Sequence, residues 1–371
     1  MALIEFSSKG LCCPKGGFYI DPWKPVEKAL ITHAHGDHAR WGSKSYLCHH
    51  YTKPLLQARL GEGHYESMEW NETVNINGVK VSFHPAGHMI GSSQIRVEYN
   101  GEVWVFSGDY KVENDGISGQ FEPIKCNTFI TESTFGLPIY RWKPQPEIFG
   151  NMKNWILKNK EQGKASIVLA YSLGKAQRVL QPLSEVADII YAHGAVYNMH
   201  QALINAGWKL PPLERITPET PKEKLKASVI LAPPSADGTP WLKRFQPYAI
   251  GVCSGWMQVR GNVRRKNVDG GFVISDHADW DGLLEAVKAT GASKVFVTHG
   301  YQAAFSRYLN EIGIESAEVK TEYGEEDEGQ LDNENQLANE SISKLADGEK
   351  ELADNVTTKL ANEGDATVNN E

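Results

Sequence analysis

The stretch Ala29-Leu30-Ile31-Thr32-His33-Ala34-His35-Gly36-Asp37-His38 constrains this chain more than any other. Four potential metal ligands fall within six residues, directly after a short apolar run. An extended chain points residues i and i+2 to one face, so His33 and His35 can address one ion. Gly36 permits a sharp turn, which lets Asp37 and His38 reach a second ion beside the first. Imidazole and carboxylate donors in this combination suit zinc, with manganese or iron as further options. The remaining ligands must come from other parts of the chain.

Three residues at the ends of predicted strands are the candidates. His88 lies in a loop bounded by glycines after the strand Val79–Phe83. Asp109 follows Phe106-Ser107-Gly108, and His299 follows Val297-Thr298. Before Phe135, strands end repeatedly in His or acidic residues, including Thr128-Phe129-Ile130 running into Glu132. Such an arrangement fits loops on one rim of a sandwich building a site. Asn100-Gly101 between Ser93–Tyr99 and Glu102–Phe106 predicts a tight hairpin. From Glu147 the spacing becomes helical. Buried-strand runs at Ala165–Ala170 and Ser228–Ala232 then alternate with helical stretches, which predicts a small α/β unit with a mainly parallel sheet. The first texture returns from Gly271, with Ser275-Asp276-His277-Ala278-Asp279-Trp280, a helix from Gly282, and the strand Lys294–Val297. Asp276 and Asp279 are expected to cap that helix.

The resulting division is 1–134 for the first part of a sandwich, 135–267 for an α/β insertion, 268–324 for the sandwich's return and 325–371 for a tail. At 371 residues, two packed units are expected. The tail holds 14 acidic and 3 basic residues, so it carries −11 of the net charge of −8 and leaves the rest of the chain at +3. Its composition predicts disorder, and the slightly basic remainder is compatible with a polyanionic substrate. Five cysteines form no CxxC pair and fit reduced thiols. Neither a membrane span nor a signal-peptide pattern is present in the sequence, so the cytoplasm is the expected compartment.

The series His33-Ala34-His35-Gly36-Asp37-His38, Gly87-His88, Gly108-Asp109-Tyr110 and Thr298-His299-Gly300 resembles the metallo-β-lactamase superfamily. The resemblance implies an α/β fold, an αββα sandwich with a two-metal site. One ion would be held by His33, His35 and His88, the other by Asp37, His38 and His299, with Asp109 bridging. Thr131-Glu132-Ser133-Thr134, the insertion with Leu173-Gly174-Lys175-Ala176-Gln177, and Ser275–Trp280 resemble the β-CASP branch, which comprises nucleases acting on DNA or RNA. Within that branch, Cys253–Gly261 followed by Arg264-Arg265-Lys266 is most similar to bacterial ligase-associated DNA exonucleases. A DNA substrate and, as partners, a DNA ligase and other repair proteins are therefore implied.

A phosphodiester is anionic and resists hydroxide. Two divalent ions, Zn²⁺ or Mn²⁺, neutralise its charge and lower the pKa of bound water from ~15.7 to about 7. The expected nucleophile is the hydroxide the ions share, with Asp109 as common carboxylate and Asp37 also orienting it. His277 is the expected proton donor to the leaving oxygen, oriented by Glu132. Arg260, Arg264, Arg265 and Lys266 are candidate phosphate contacts, as are Ser172, Lys175 and Arg178 where a strand meets a helix. An RNA-processing nuclease of the same branch is the alternative. A small-molecule metallo-hydrolase has no use for an inserted domain with cationic loops.

Overall fold

Short β-branched and aromatic runs separated by turn residues dominate the first 132 positions, and they fold as strands. A computed structural model describes residues 2–259 and 268–319. By internal contacts the chain divides into Met1–Glu326 and Asp327–Glu371, and the described residues all belong to the first unit.

Its opening strands are β1 (Glu5–Ser7), β2 (Gly10–Cys13), β3 (Phe18–Ile20), β4 (Lys28–Ile31), β5 (Ser45–His49) and β6 (Tyr65–Met68), with helix α1 (Thr52–Leu60) between the last two. They form one sheet in chain order, whose β3, β4, β5 and β6 run parallel. A second sheet collects β7 (Thr73–Ile76), β8 (Val79–Pro85), β9 (Ser93–Tyr99), β10 (Glu102–Phe106) and β11 (Thr128–Glu132). The β9–β10 turn is Asn100-Gly101, with φ of 52° and 84°, the left-handed pair that a two-residue hairpin demands.

The chain then alternates. Helix α2 (Gln145–Glu161), β12 (Ala165–Leu169), α3 (Lys175–Ser184), β13 (Ile190–Ala192), α4 (Gly194–Asn205), β14 (Glu214–Arg215), the one-turn α5 (Lys222–Leu225), β15 (Val229–Ala232), β16 (Tyr248–Cys253) and β17 (Gly270–Phe272) follow in order. Their strands form a third sheet, β14-β13-β15-β12-β16-β17, in which every pair is parallel. Finally α6 (Trp280–Thr290), β18 (Lys294–Thr298), α7 (Gln302–Glu311) and β19 (Glu315–Glu318) close the described chain. Both strands return to the second sheet, β18 lying parallel to β11.

Alternation of buried residues lets the first two sheets share one apolar cluster. Leu11, Phe18, Ile20 and Leu30 come from one, and Val81, Phe83, Ile95, Val97 and Phe106 from the other. The outer face of the second sheet (Val105, Phe129, Val295, Val297) is covered by Leu283 and Val287 of α6 and Phe305 and Leu309 of α7. That of the first (Ala29, Ile31, Tyr46, Cys48) packs with Leu55 and Leu56 of α1 and Leu203 of α4. Helix α2 presents Ile148, Met152 and Ile156, and α3 presents Val179, Leu180 and Leu183, to Val168, Val229 and Leu231 of the third sheet. No helix among the described residues is long and apolar enough to cross a membrane.

Asp279 caps α6, its Oδ1 accepting from the Gly282 N–H at 2.9 Å. Asp276 does not. Its backbone carbonyl accepts from His88 Nδ1 at 3.0 Å, and its carboxylate is buried. The capping expectation therefore holds only for the residue immediately before the helix, because a side chain three positions earlier faces the interior.

Candidate metal centre

Each candidate ligand follows the C-terminal end of a strand. His33 to His38 follow β4, His88 lies between β8 and β9, Asp109 follows β10 and His299 follows β18. Parallel register places Glu132, the last residue of β11, opposite Thr298, so Glu132 and His299 emerge side by side. The crossing is tight. A Cβ on Gly108 (φ 56°) would lie 2.8 Å from Thr32 Cβ, and one on Gly300 (φ 61°) only 2.4 Å from Ser133 O. His299 itself sits at φ 56°, a conformation costly for a side chain with a Cβ.

Donor atoms of His33, His35, His88 and Asp109 lie within 4.8 Å of one another, as do those of Asp37, His38 and His299. Asp109 stands between the groups: its Oδ2 is 3.5 Å from His33 Nε2, 3.4 Å from His38 Nε2 and 3.9 Å from His88 Nε2. Asp37 Oδ2 is 3.5 Å from His38 Nε2. His88 Nε2 and His35 Nδ1 face each other at 3.1 Å.

The opposite ring nitrogens are anchored. His38 Nδ1 donates to Asp21 Oδ2 at 2.8 Å, His88 Nδ1 to the Asp276 carbonyl at 3.0 Å, and His35 Nε2 to the Leu173 carbonyl at 3.1 Å. His33 Nδ1 donates to Thr32 Oγ1 at 3.0 Å, and that hydroxyl donates in turn to Asp21. A ring held this way turns a lone pair inward. Burial holds the His33 imidazolium well below its ordinary pKa and brings that of His299 down to about 4. Burial opposes protonation of His38 too, but Asp109 and Asp37 override it and raise its pKa well above normal. Asp109 shows the converse, its carboxyl held well below the usual range by His38 against the effect of burial.

Among the described residues, His33 Nε2, Asp37 Oδ2 and Asp109 Oδ1 are buried without a hydrogen-bond partner. Desolvated polar atoms of this kind are costly, and divalent cations held by two adjacent N/O donor sets would satisfy them. The residues present fit two such ions.

Beside them, His277 Nδ1 donates to Glu132, 2.8 Å from Oε2 and 3.0 Å from Oε1. Glu132 Oε1 also accepts the Tyr110 N–H at 2.7 Å. Both side chains are buried, and burial raises the Glu132 pKa.

The nucleic-acid candidates fare differently. Ser172 is half-buried in the turn between β12 and α3. Lys175 is buried, with its ammonium 4.5 Å from the Tyr171 ring centroid. Arg178 points inward: its guanidinium pairs with Asp115 at 2.9 Å and donates to the carbonyls of Ser275, His88 and Gly87. It thereby ties α3 to two loops of the metal centre. Arg260, Arg264, Arg265 and Lys266 lie outside the described residues.

Two residues of the site escaped the sequence reading. Asp21, paired with Pro22, reads as a turn, yet it is fully buried behind His38 and Thr32. Arg59 reads as the end of a short helix, yet its Nη1 donates to the Ala34 and His35 carbonyls at 2.6 and 3.3 Å and braces the ligand loop. Replacing Asp21 by Asn is expected to lower metal affinity ~10–100-fold, the usual cost of losing an outer-shell carboxylate. Competition with a chelating dye measures it, and unchanged affinity would remove Asp21 from the site.

No family model matches the chain. It is 27% identical over 317 residues, 84% of its length, to a protein of Opitutus terrae named "Probable DNA ligase". It is 31% identical over 122 residues, 32% of its length, to the endoribonuclease YSH1 of Yarrowia lipolytica. These matches span 30% and 14% of the two relatives. Among solved structures, a protein of unknown function from Enterococcus faecalis V583 is similar in fold, with a TM-score of 0.54 over 80% of each chain at 11% identity.

Proposed function

Because the chain belongs to the β-CASP branch of the metallo-β-lactamase superfamily, we propose that it is a metal-dependent DNA exonuclease acting in repair alongside a DNA ligase. The observation that carries the DNA reading is the extent of one match. Similarity to the ligase-named relative runs through 84% of the chain, whereas similarity to the endoribonuclease stops at 32%. The division at 1–134, 135–267, 268–324 and 325–371 goes with this reading, as does an αββα sandwich around the first two sheets.

In this reading His33, His35 and His88 would hold one cation and Asp37, His38 and His299 the other, with Asp109 available to both. Two cations, Zn²⁺ or Mn²⁺, supply neutralisation of the phosphodiester and an activated water. The chain's own residues supply the rest. Asp21, Thr32 and Arg59 hold the ligand loop, so its donors need no reorganisation when substrate arrives. Glu132 fixes the His277 ring by accepting from Nδ1 and favours its protonated form. Nε2 is then the atom that delivers a proton to the leaving sugar oxygen. Phosphates along the strand fall to Ser172 and the basic run Arg260, Arg264, Arg265 and Lys266, whereas Lys175, which is buried, does not reach them. Arg178, already engaged, does not take part.

The test is incubation of the full chain and Mn²⁺ or Zn²⁺ with end-labelled single-stranded DNA, duplex DNA and RNA. Release of mononucleotides from DNA alone is the expected result. Cleavage confined to RNA would replace the proposal with RNA processing, the reading that the endoribonuclease match favours, and internal fragments would make the enzyme an endonuclease. A chain ending before Glu325 is expected to work at nearly the full rate, and a large loss would give the acidic tail a role.

A further inference from the structure

A further set of donors converges at the edge of the first sheet. β5 ends at His49 and β6 at Met68, and their parallel register sets these two residues side by side. The residues that follow, His50 and Glu69, therefore leave the sheet together. Donor atoms of His49, His50 and Glu69 lie within 4.8 Å of one another. Glu69 Oε2 is 2.9 Å from His50 Nδ1 and 3.9 Å from His49 Nε2. Because Cys48 pairs with Ile31 of β4, the group stands on the same rim as His33 but is built from other residues.

Two features set it apart from a surface ion pair. His49 is fully buried, its ring stacked on the Trp70 indole with centroids 4.2 Å and planes 10° apart. Yet among the described residues neither His49 Nε2 nor His50 Nδ1, both buried atoms, makes a hydrogen bond. Polar atoms left this way are costly, and a cation between the three side chains would satisfy them. The spacing suits one. Zinc bonds of about 2.0–2.2 Å in a tetrahedron set neighbouring ligand atoms roughly 3.3–3.6 Å apart, between the two distances seen. The Tyr51 N–H reaches His49 Nδ1 at only 3.4 Å, beyond the ordinary hydrogen-bond range. Ligation at Nε2 would put the proton on Nδ1 and give up that weak contact.

We propose that His49, His50 and Glu69 bind a divalent cation of the zinc type, separate from those held around Asp109. Two imidazoles and a carboxylate leave a fourth position to water, and the half-buried His50 and exposed Glu69 open the site to solvent. The ion would clamp the exits of β5 and β6 together. Both exits are tied to the stretch that follows His88. Thr52 donates to the Gly91 carbonyl at 2.8 Å, and Trp70 Nε1 donates to Ser93 Oγ at 2.9 Å. The clamp would thus brace a ligand loop of the metal centre from outside it.

The test counts ions and does not read cleavage. An ion on a site this open to solvent leaves on dialysis, so the full chain is titrated with Zn²⁺ at equilibrium against a chelating dye. His50→Ala and Glu69→Ala leave the His49–Trp70 stack in place, and each is expected to lower the number of ions bound by one. The loss of affinity at that site should exceed ~100-fold, the upper cost of losing a mere outer-shell partner. Asp109→Ala should still bind this ion, and Asp109→Ala combined with His50→Ala should not. An unchanged count in both single variants, or no ion on Asp109→Ala at equilibrium, would overturn the site.

Discussion

Replacing Asp109 by Ala is expected to abolish ion retention and hydrolysis together. This carboxylate belongs to the donor set of His33, His35 and His88 and lies beside His38 of the other, with Oδ2 within 3.4 to 3.9 Å of three histidine nitrogens. Four imidazoles crowd around it: ring centroids of His33 lie 4.2 Å from His38, 4.8 Å from His35 and 4.7 Å from His88. Without its charge, Asp37 alone of the two donor sets would offset the charge of two divalent cations. The loss must exceed the ~10–100-fold in affinity that an outer-shell partner costs. Elemental analysis after dialysis, with a thermal melt to show that the fold persists, measures the first effect, and strand release measures the second. Asp109→Asn keeps the shape and removes the charge, so a similar defect in both variants would identify charge as the cause. A variant that retains two ions and full activity would refute the bridging role.

The ligand loop was legible because its signal is local, with four donors packed behind an apolar strand. Asn100-Gly101 announced its hairpin for the same reason, since two left-handed residues in sequence have few other uses. Residues that orient the donors were not legible. Asp21 lies 17 positions before His38, and its neighbour Pro22 gives the pair the look of an ordinary turn. Arg178 shows the opposite failure. Its place at a strand–helix junction suggested a phosphate contact, but a sequence does not reveal that a guanidinium turns inward to Asp115. Strands β6 and β19 escaped because Tyr65-Glu66-Ser67-Met68 buries only its ends and Glu315–Glu318 is a largely exposed edge. Both are held by their neighbours' backbones rather than by a pattern of their own.

Replacing His277 by Ala separates chemistry from metal binding, and the expected result is a rate loss of ~10²–10⁴ with both ions retained. Its ring packs 4.7 Å from that of His88, but His88 is anchored by the Asp276 backbone carbonyl, a contact that alanine at 277 leaves in place. A phosphodiester with a nitrophenolate leaving group provides the check. Such a group departs without a proton, so the deficit should shrink sharply if His277 is the donor and persist if the ring only shapes the site. Glu132→Gln extends the argument to pH. The buried carboxylate, which accepts the Nδ1 proton, favours the protonated ring, and a neutral amide does not. Activity that depends on a protonated His277 is lost as pH rises, so removing the charge should move the alkaline limb of the rate profile to lower pH. An unmoved limb, or one displaced upward, would assign the proton to another group and leave Glu132 as a buried support for the Tyr110 backbone.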